Sequence, residues 1–133
     1  MEIKVNGTST EKNYITKLES RGLLLHVDEP IEKGGADTAM TPMELIGSAL
    51  SSCTIITLQM YFNHKGWDYE KVEVEVNYDT SILPTQLERI VNVFGSFDEK
   101  QIGVIERVSN SCPVHKFLEK GHGIITTVNI INR

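Results

Sequence analysis

The sequence lacks the features that mark several common classes of protein. Lysine and arginine total 13 of 133 residues against 18 aspartates and glutamates, and they form no basic cluster. The concentrated positive charge that binds nucleic acid is therefore missing. Met1-Glu2-Ile3-Lys4 leads into a polar segment, so we expect no signal peptide and a cytoplasmic protein. A chain of this length is expected to form a single domain, residues 1–133.

Cysteine is scarce. The two cysteines, Cys53 and Cys112, are 59 positions apart. A reducing cytosol disfavours a permanent disulfide, so two cysteines that meet in space are more often catalytic or redox-sensing; buried packing cysteines are the alternative. The sequence has no Cys-x-x-Cys and no close histidine pair to support a zinc site made of Cys53, Cys112 and His115. We expect no metal and no cofactor.

The clearest predicted helix begins at Thr41 and ends at Lys65. Thr41 suits the N-cap, Pro42 fits the first helical position, and Glu44 lies three residues after the cap, at the capping-box spacing. Gly66 supplies the stop signal after Lys65. These signals fix both ends of the helix.

Cys53 lies midway along this helix, in a run from Leu45 to Phe62 that carries no formal charge. Apolar or small residues on almost every face predict a helix that is buried on most sides. An uncharged run of this length also fits a membrane span. Its hydroxyl and amide side chains, among them Ser52, Thr54 and Gln59, dilute the run and favour a buried helix without a membrane partner.

The remaining chain is predicted to be rich in antiparallel strands. They are expected at residues 2–5, 14–27, 72–78, 87–97 and 124–131, from alternating or β-branched residues. Arg89 shares a strand face with Val91 and Val93, where an arginine is costly unless it is paired. Asp98 is expected to cap a helix whose buried stripe consists of Ile102, Ile105 and Val108.

Cys112 stands directly before Pro113, which suits the cap position of a short helix that runs to Gly121. The partial positive charge at a helix N-terminus lowers the pKa of a thiol. His115 is one turn further on and could touch Cys112, although a surface position is the simpler expectation for it.

Three motifs in order resemble a known family. The helix start is Pro-x-Glu-Leu, Ser-x-Cys-Thr places Cys53 nine residues after Glu44, and Cys-Pro-Val-His begins at Cys112. This set is similar to the OsmC/Ohr family of thiol-dependent hydroperoxide reductases, and Asp28-Glu29-Pro30 followed by Gly34-Gly35 resembles one OsmC-like branch. The resemblance implies an α+β OsmC-like fold, with antiparallel sheets around a long central cysteine-bearing helix, in an intertwined homodimer.

The resemblance also implies roles for three residues. Cys53 corresponds to the peroxidatic cysteine, Cys112 to the resolving cysteine, and Glu44 to the glutamate that holds an activating arginine. A thiolate cleaves the peroxide O–O bond to give a sulfenic acid, which condenses with a second thiol to a disulfide. The expected partners are an organic hydroperoxide substrate and a dithiol reductant.

The sequence departs from the family pattern in its arginine. In the family this residue precedes the cysteine helix, whereas the stretch from Leu23 to Thr41 contains no arginine. Arg21, Lys33 and Arg89 are the available substitutes. Lys33 offers no bidentate fork, and we take Arg89 as the candidate.

The sequence therefore predicts a peroxidase that works through a Cys53–Cys112 disulfide cycle. A hydrophobic-ligand-binding or redox-sensing protein of the same fold is the first alternative, motivated by the missing arginine. A hydrolase that uses Cys112 as nucleophile and His115 as base ranks last, because no oriented third member accompanies them.

Overall fold

The structure, a computed structural model, describes residues 1–131. Within them the fold is mixed α+β. The elements in chain order are β1 (Asn6–Ser9), β2 (Thr16–Ser20), β3 (Leu23–Val27), a 3-10 turn (Ile31–Lys33), α1 (Pro42–Lys65), β4 (Lys71–Asn77), β5 (Glu88–Phe94), α2 (Glu99–Ser109) and α3 (Pro113–Lys120). Strands β1, β2 and β3 form one sheet in that order, and β4 and β5 form a second.

The chain divides into two compact units. The first consists of residues 1–51 and 75–90, and the second of residues 52–74 together with the chain from Val91 onward. Helix α1 crosses the boundary, which falls after Ser51. Both cysteines belong to the second unit.

The three-stranded sheet of the first unit is antiparallel throughout. The predicted strand at residues 14–27 is a hairpin of β2 and β3, and its turn residues Arg21 and Gly22 both have positive φ, of 54° and 81°. This is the backbone that a two-residue hairpin loop requires.

The strand predicted at residues 2–5 was wrong. The strand is β1, in which Asn6 pairs with Glu19 and Ser9 with Thr16. The register places Val5 opposite Ser20, the last residue of β2, so the residues before Val5 lie beyond the end of β2 and have no ladder to join despite their alternating pattern.

The loop after β3 is closed by a buried carboxylate. Asp28 is fully buried and accepts hydrogen bonds from the Thr38 hydroxyl at 2.6 Å, the Thr38 N–H at 3.0 Å and the Glu29 N–H at 2.7 Å. These bonds lower the pKa of Asp28, with the Thr38 hydroxyl as the largest cause. The loop then delivers the chain to α1.

Helix α1 has the predicted ends. The Glu44 N–H donates to the Thr41 hydroxyl at 3.2 Å, and the Thr41 N–H donates to the Glu44 carboxylate at 2.9 Å. Gly66 follows the helix with φ of 70°. Length and composition alone would let this helix cross a membrane, a test that core helices of soluble proteins also pass.

The prediction that α1 is buried on most sides is wrong for the single chain. Its fully or nearly fully buried side chains include Leu50, Thr54, Leu58 and Phe62. A second set of apolar side chains on the same helix is exposed: Met43 at 46%, Ile46 at 37%, Ile56 at 48% and Met60 at 68%. The part of α1 that lies in the second unit therefore has one packed face, with Leu58 and Phe62, and one exposed apolar face, with Ile56 and Met60.

The second unit is built on an apolar core. Leu58 and Phe62 of α1 pack with Ile105 and Val108 of α2, and partly buried residues surround them: Tyr61, Trp67, Tyr69, Val72, Val91, Val93, Phe97 and Val104. Asp98 and Gln101 form the capping box of α2. Ile102, predicted to be buried with Ile105 and Val108, is 46% exposed, because the buried stripe runs through Ile105, Val108 and Ser109.

Strands β4 and β5 both alternate between exposed and half-buried residues, as predicted. Arg89 occupies a half-buried position of β5, in phase with Val91 and Val93. The strand predicted at 124–131 was wrong, because residues 121–131 form neither strand nor helix. Ile124, Ile125 and Ile130 are more than four-fifths exposed, at 91%, 98% and 81%. A β-branched composition makes a strand only where another strand pairs with it.

Candidate functional site

The two cysteines meet within the second unit. Cys53 lies on α1, and Cys112 is the N-cap residue of α3, where Pro113 opens the helix as predicted. Both are free thiols, and their side chains interact through a hydrogen bond. The fold thus brings together two thiols that are 59 residues apart in the chain.

The Cys112 side chain is fully buried. Burial acts to raise its pKa, but hydrogen bonds from the Cys53 thiol, the His115 and Val114 N–H groups and the Thr54 hydroxyl outweigh burial. The pKa of Cys112 is therefore lowered. The Cys112 side chain makes no N-cap hydrogen bond by geometric criteria. The backbone N–H groups of Val114 and His115, in the first turn of α3, nevertheless lower the pKa of its thiol.

Cys53 is half-buried, and its surroundings raise its pKa. Burial is the largest cause that raises its pKa, and the hydrogen bond with Cys112 and the negative charge there raise it further. The Val114 N–H and the Thr57 hydroxyl, whose oxygen is 3.9 Å from the Cys53 sulfur, lower it by less. The pKa of Cys53 is therefore raised, whereas that of Cys112 is lowered.

Burial is the largest influence on the pKa of each thiol, and hydrogen bonds with hydroxyl groups, backbone N–H groups and the other thiol follow. Within residues 1–131, neither an arginine nor a lysine is among them. Arg89, the candidate for the family arginine, belongs to the first unit.

Glu44 is engaged in the cap of α1. The Thr41 N–H lowers the pKa of the Glu44 carboxyl most, and the Thr41 hydroxyl adds to this effect. The described contacts of this carboxylate are with Thr41, and among residues 1–131 no basic side chain is paired with it. The predicted link from Glu44 to Arg89 thus stays a prediction.

His115 pairs with Glu119 one turn further along α3, at 3.1 Å between Nε2 and Oε1. Its imidazole is therefore held by a carboxylate of its own helix. Residues 1–131 contain no group of three or more histidine, cysteine or acidic side chains that could hold a metal ion.

Sequence reasoning missed the two threonines of the site. Thr54 follows Cys53 directly and is fully buried, and Thr57 lies one helical turn after Cys53. The i, i+4 spacing from Cys53 to Thr57 could have indicated that contact. The interaction of Thr54 with Cys112 had no sequence signal, since it depends on where α3 lies.

A separate surface hollow of about 570 Å³ lies at the C-terminal end of α1. Its lining includes Trp67, Tyr69, Phe97 and Gln101, and neither cysteine is part of it. The hollow belongs to the second unit but not to the thiol site.

Comparisons with known proteins agree on one family. The family model described as OsmC-like protein matches residues 34–127. No curated protein matches the chain in sequence. The structure is similar to an OsmC-like protein from Mycoplasma pneumoniae, with a TM-score of 0.71, 18% identity and coverage of 90% of this chain and 89% of that one.

Two further solved structures are similar. An organic hydroperoxide resistance protein from Elizabethkingia anophelis has a TM-score of 0.65 and 21% identity, with 90% of this chain and 89% of that one covered. An organic hydroperoxide resistance protein from Legionella pneumophila has a TM-score of 0.64 and 16% identity, with 90% of each chain covered. At these identities the likeness to solved structures establishes the shared fold.

Proposed function

The chain belongs to the OsmC-like family, and on that premise we propose that it is a thiol-dependent peroxidase that reduces organic hydroperoxides. The observation that carries the proposal is the hydrogen-bonded pair of free thiols, with Cys53 half-buried and Cys112 fully buried. A small solute reaches the more exposed thiol first. Two fold neighbours are organic hydroperoxide resistance proteins, which supports a peroxide as substrate.

The proposed cycle has three steps. The sulfur of Cys53, as thiolate, attacks one peroxide oxygen, the O–O bond breaks, and the other oxygen leaves as an alkoxide that takes up a proton to become the alcohol. The sulfur of Cys112 then attacks the sulfenic acid on Cys53, and hydroxide leaves as water with a second proton. A dithiol reductant exchanges with the disulfide and restores both thiols. Each cycle oxidises one dithiol and reduces one hydroperoxide to alcohol and water.

Glu44 and Arg89 are proposed as further residues of the site. Arg89 is supported by its half-buried position on β5. Partly burying a guanidinium costs free energy, which a structural or functional interaction can offset. The support for Glu44 is its match to the family motif at the start of α1. Neither role depends on the contact between the two thiols.

We further propose that the protein works in the cytoplasm as a homodimer. The exposed apolar face of α1, defined by Ile56 and Met60, which lie one helical turn apart, is the support. Neighbouring exposed apolar side chains are typical of an interaction surface. A second copy of the chain is the occupant that the family resemblance implies, and closed twofold dimers are the commonest assembly.

The peroxidase proposal is tested by single-turnover oxidation of the reduced protein with cumene hydroperoxide and, separately, with hydrogen peroxide. Intact-mass measurement follows the loss of two hydrogens that marks a disulfide. We expect fast loss with the organic peroxide and slow loss with hydrogen peroxide. Cys53→Ser is expected to abolish turnover, and Cys112→Ser to leave a sulfenic acid that dimedone traps.

Full peroxidase activity in Cys53→Ser would overturn the mechanism. If neither peroxide causes the loss of mass, the protein is not a peroxidase of this kind. A redox-sensing or hydrophobic-ligand-binding role on the same fold would then be favoured, and native mass spectrometry for a co-purified ligand would follow.

A further inference from the structure

The surface hollow of about 570 Å³ lies apart from the thiol site and wholly within the second unit. Two loops line it, residues 66–70 between α1 and β4 and residues 95–97 between β5 and α2, with Gln101 of α2 beside them. Small-molecule sites have volumes of about 300–1,000 Å³ and combine aromatic or apolar walls with a few polar groups. The hollow matches both of these properties.

Backbone hydrogen bonds hold the first loop in place at both of its ends. Where α1 ends, the Trp67 N–H donates to the Phe62 carbonyl at 2.9 Å. At the start of β4, the Glu70 N–H donates to the Phe94 carbonyl of β5 at 2.7 Å. The first loop is thus tied both to the helix and to the strand that leads into the second loop.

Three half-buried aromatic residues of the lining, Trp67, Tyr69 and Phe97, belong to one cluster. The fully buried Phe62 lies among them, with its ring centroid 6.2 Å from that of Trp67, 5.0 Å from that of Tyr69 and 5.7 Å from that of Phe97. The Trp67 and Phe97 centroids are 6.4 Å apart. Packing against a common ring fixes the positions of all three, so the hollow has an ordered aromatic wall.

Gly95 allows the second loop to approach this wall closely. A Cβ at this position would lie 2.9 Å from a carbon of the Phe97 ring and 3.4 Å from the Tyr69 Cα. A side chain there would have to displace the Phe97 ring. The bare backbone of Gly95 therefore belongs to the shape of the hollow.

The charged residues of the lining are both acidic. Asp68 and Glu70 are exposed and alternate along the first loop with the half-buried Trp67 and Tyr69. The lining also includes Gly66 at the C-terminal end of α1, where the helix dipole places partial negative charge. Aromatic rings and negative charge thus line the same hollow.

The two lysines that flank the first loop contact groups outside the lining. Lys65 Nζ lies 5.8 Å from the centroid of the Tyr61 ring. Lys71 Nζ lies 2.7 Å from Glu73 Oε1 and 4.6 Å from the centroid of the Phe94 ring. Both ammonium groups lie over aromatic rings, the contact that the ring quadrupole favours.

Aromatic walls and carboxylates favour one class of ligand. The face of an aromatic ring attracts a cation, and Trp is the strongest of the aromatic residues in this respect. The carboxylates add attraction for positive charge and repel anions. We infer that the hollow at the end of α1 is a binding site for a small organic cation, an amine or quaternary ammonium compound whose alkyl groups contact the rings and whose charge is balanced by Asp68 and Glu70. The inference does not depend on the proposed peroxidase function.

The test is an NMR titration of the full-length reduced protein with choline as the probe. Trp67 is the one tryptophan of the sequence, so a single indole N–H signal reports on the hollow. The matched neutral probe is 3,3-dimethyl-1-butanol, in which carbon replaces the charged nitrogen. We expect choline to shift the indole signal and the backbone N–H signals of residues 66–70 and 95–97 saturably, with an affinity about tenfold higher than that of the alcohol at constant ionic strength.

Substitutions separate the contributions of charge and rings. Asp68→Asn together with Glu70→Gln should lower the affinity for choline about fivefold and leave that for the alcohol unchanged. Phe97→Leu keeps an apolar side chain without the ring and should lower the affinity for choline about threefold. Asp37→Asn together with Glu106→Gln removes the same charge at exposed positions outside the lining and should change neither affinity. Thermal melts establish that each variant is folded.

Equal affinities for choline and the neutral alcohol would overturn the inference. So would choline that leaves the Trp67 indole signal in place, or choline binding that the Asp68 and Glu70 substitutions do not weaken. None of these measurements uses a peroxide, so they decide the inference whether or not the protein is a peroxidase.

Discussion

The buried carboxylate of Asp28 and Thr38 are joined by two hydrogen bonds, from the hydroxyl at 2.6 Å and from the backbone N–H at 3.0 Å. The two residues lie at opposite ends of the loop that precedes α1. Together with the Glu29 N–H they lower the pKa of Asp28 from its ordinary value of 3.8. A buried carboxylate therefore holds the two ends of the loop together through hydrogen bonds.

This fastening makes the stability of the protein depend on acid pH. Because the folded pKa of Asp28 is lower than the unfolded one, its contribution is present above the unfolded value and is lost as pH falls through the folded value. We predict a loss of unfolding free energy as pH falls below the unfolded pKa of about 3.8, and this loss is smaller in Asp28→Asn. Urea unfolding at each pH measures it. Asp37→Asn, an exposed carboxylate of the same loop, should leave the pH dependence unchanged.

Two glycine-to-alanine substitutions should change stability in opposite directions. At Gly35 an added Cβ would lie 2.0 Å from the Glu29 carbonyl oxygen, so Gly35→Ala must displace backbone and is expected to cost about 1–3 kcal/mol. At Gly103, within α2, a Cβ meets nothing within 4 Å, and Gly103→Ala should stabilise the protein by about 0.5–1 kcal/mol. Equal shifts in the two chemical denaturation midpoints would contradict this account.

Substitutions of Glu44 can separate its cap from its proposed site role. Glutamine also completes a capping box, so Glu44→Gln should leave the unfolding free energy nearly unchanged. If the charge serves the site, the peroxide rate of this variant falls at least about tenfold, which we expect. Glu44→Ala should lose both the rate and part of the stability, because it breaks the capping box. An unchanged rate in Glu44→Gln would restrict Glu44 to capping.

A charge placed on the exposed apolar face of α1 should prevent dimer formation. We predict that light scattering gives the unsubstituted protein twice its chain mass of 14.9 kDa at micromolar concentration. Ile56→Glu and Met60→Glu, at positions 48% and 68% exposed in one chain, should reduce that mass to one chain. Lys100→Glu, at an exposed position of α2, is the control and should stay dimeric. A monomeric unsubstituted protein would contradict the proposed assembly.

Local signals in the sequence were sufficient where the interactions are themselves local. The cap at Thr41, the stop at Gly66, the cap at Asp98 and the cap position of Cys112 all depend on residues a few positions apart, and the structure confirms each of them.

Local signals failed where the structure of a segment depends on its contacts with a distant part of the chain. Ile3 alternates with polar residues like a strand residue, but the ladder of β2 ends before it can pair. Ile125 has the composition of a strand residue and lies 98% exposed, without a partner strand among the described residues. Ile102 fits the helical period but faces away from the core that Ile105 joins.

The candidate site was likewise only partly predictable from the sequence. The family motifs indicated Cys53 and Cys112, and the structure brings the two thiols together. The direction in which the pKa of each thiol is shifted could not be predicted, because it depends on burial and on donors such as Thr54 and the N–H groups of α3 that approach only in the fold. The charge of a buried group is a property of its surroundings, and sequence spacing alone does not specify them.

The second unit consists of two separate stretches of chain, with Cys53 on one and Cys112 on the other. A disulfide between them would close a covalent loop across the unit, and for cysteines 59 positions apart the chain-entropy account gives about 4 kcal/mol of added stability. The proposed cycle would thus alternately form and break a covalent crosslink in the second unit. Resistance to heat and proteases would rise when hydroperoxide forms the disulfide faster than the reductant removes it, and would fall in the opposite case. The lifetime of the folded protein would therefore depend on the concentration of hydroperoxide.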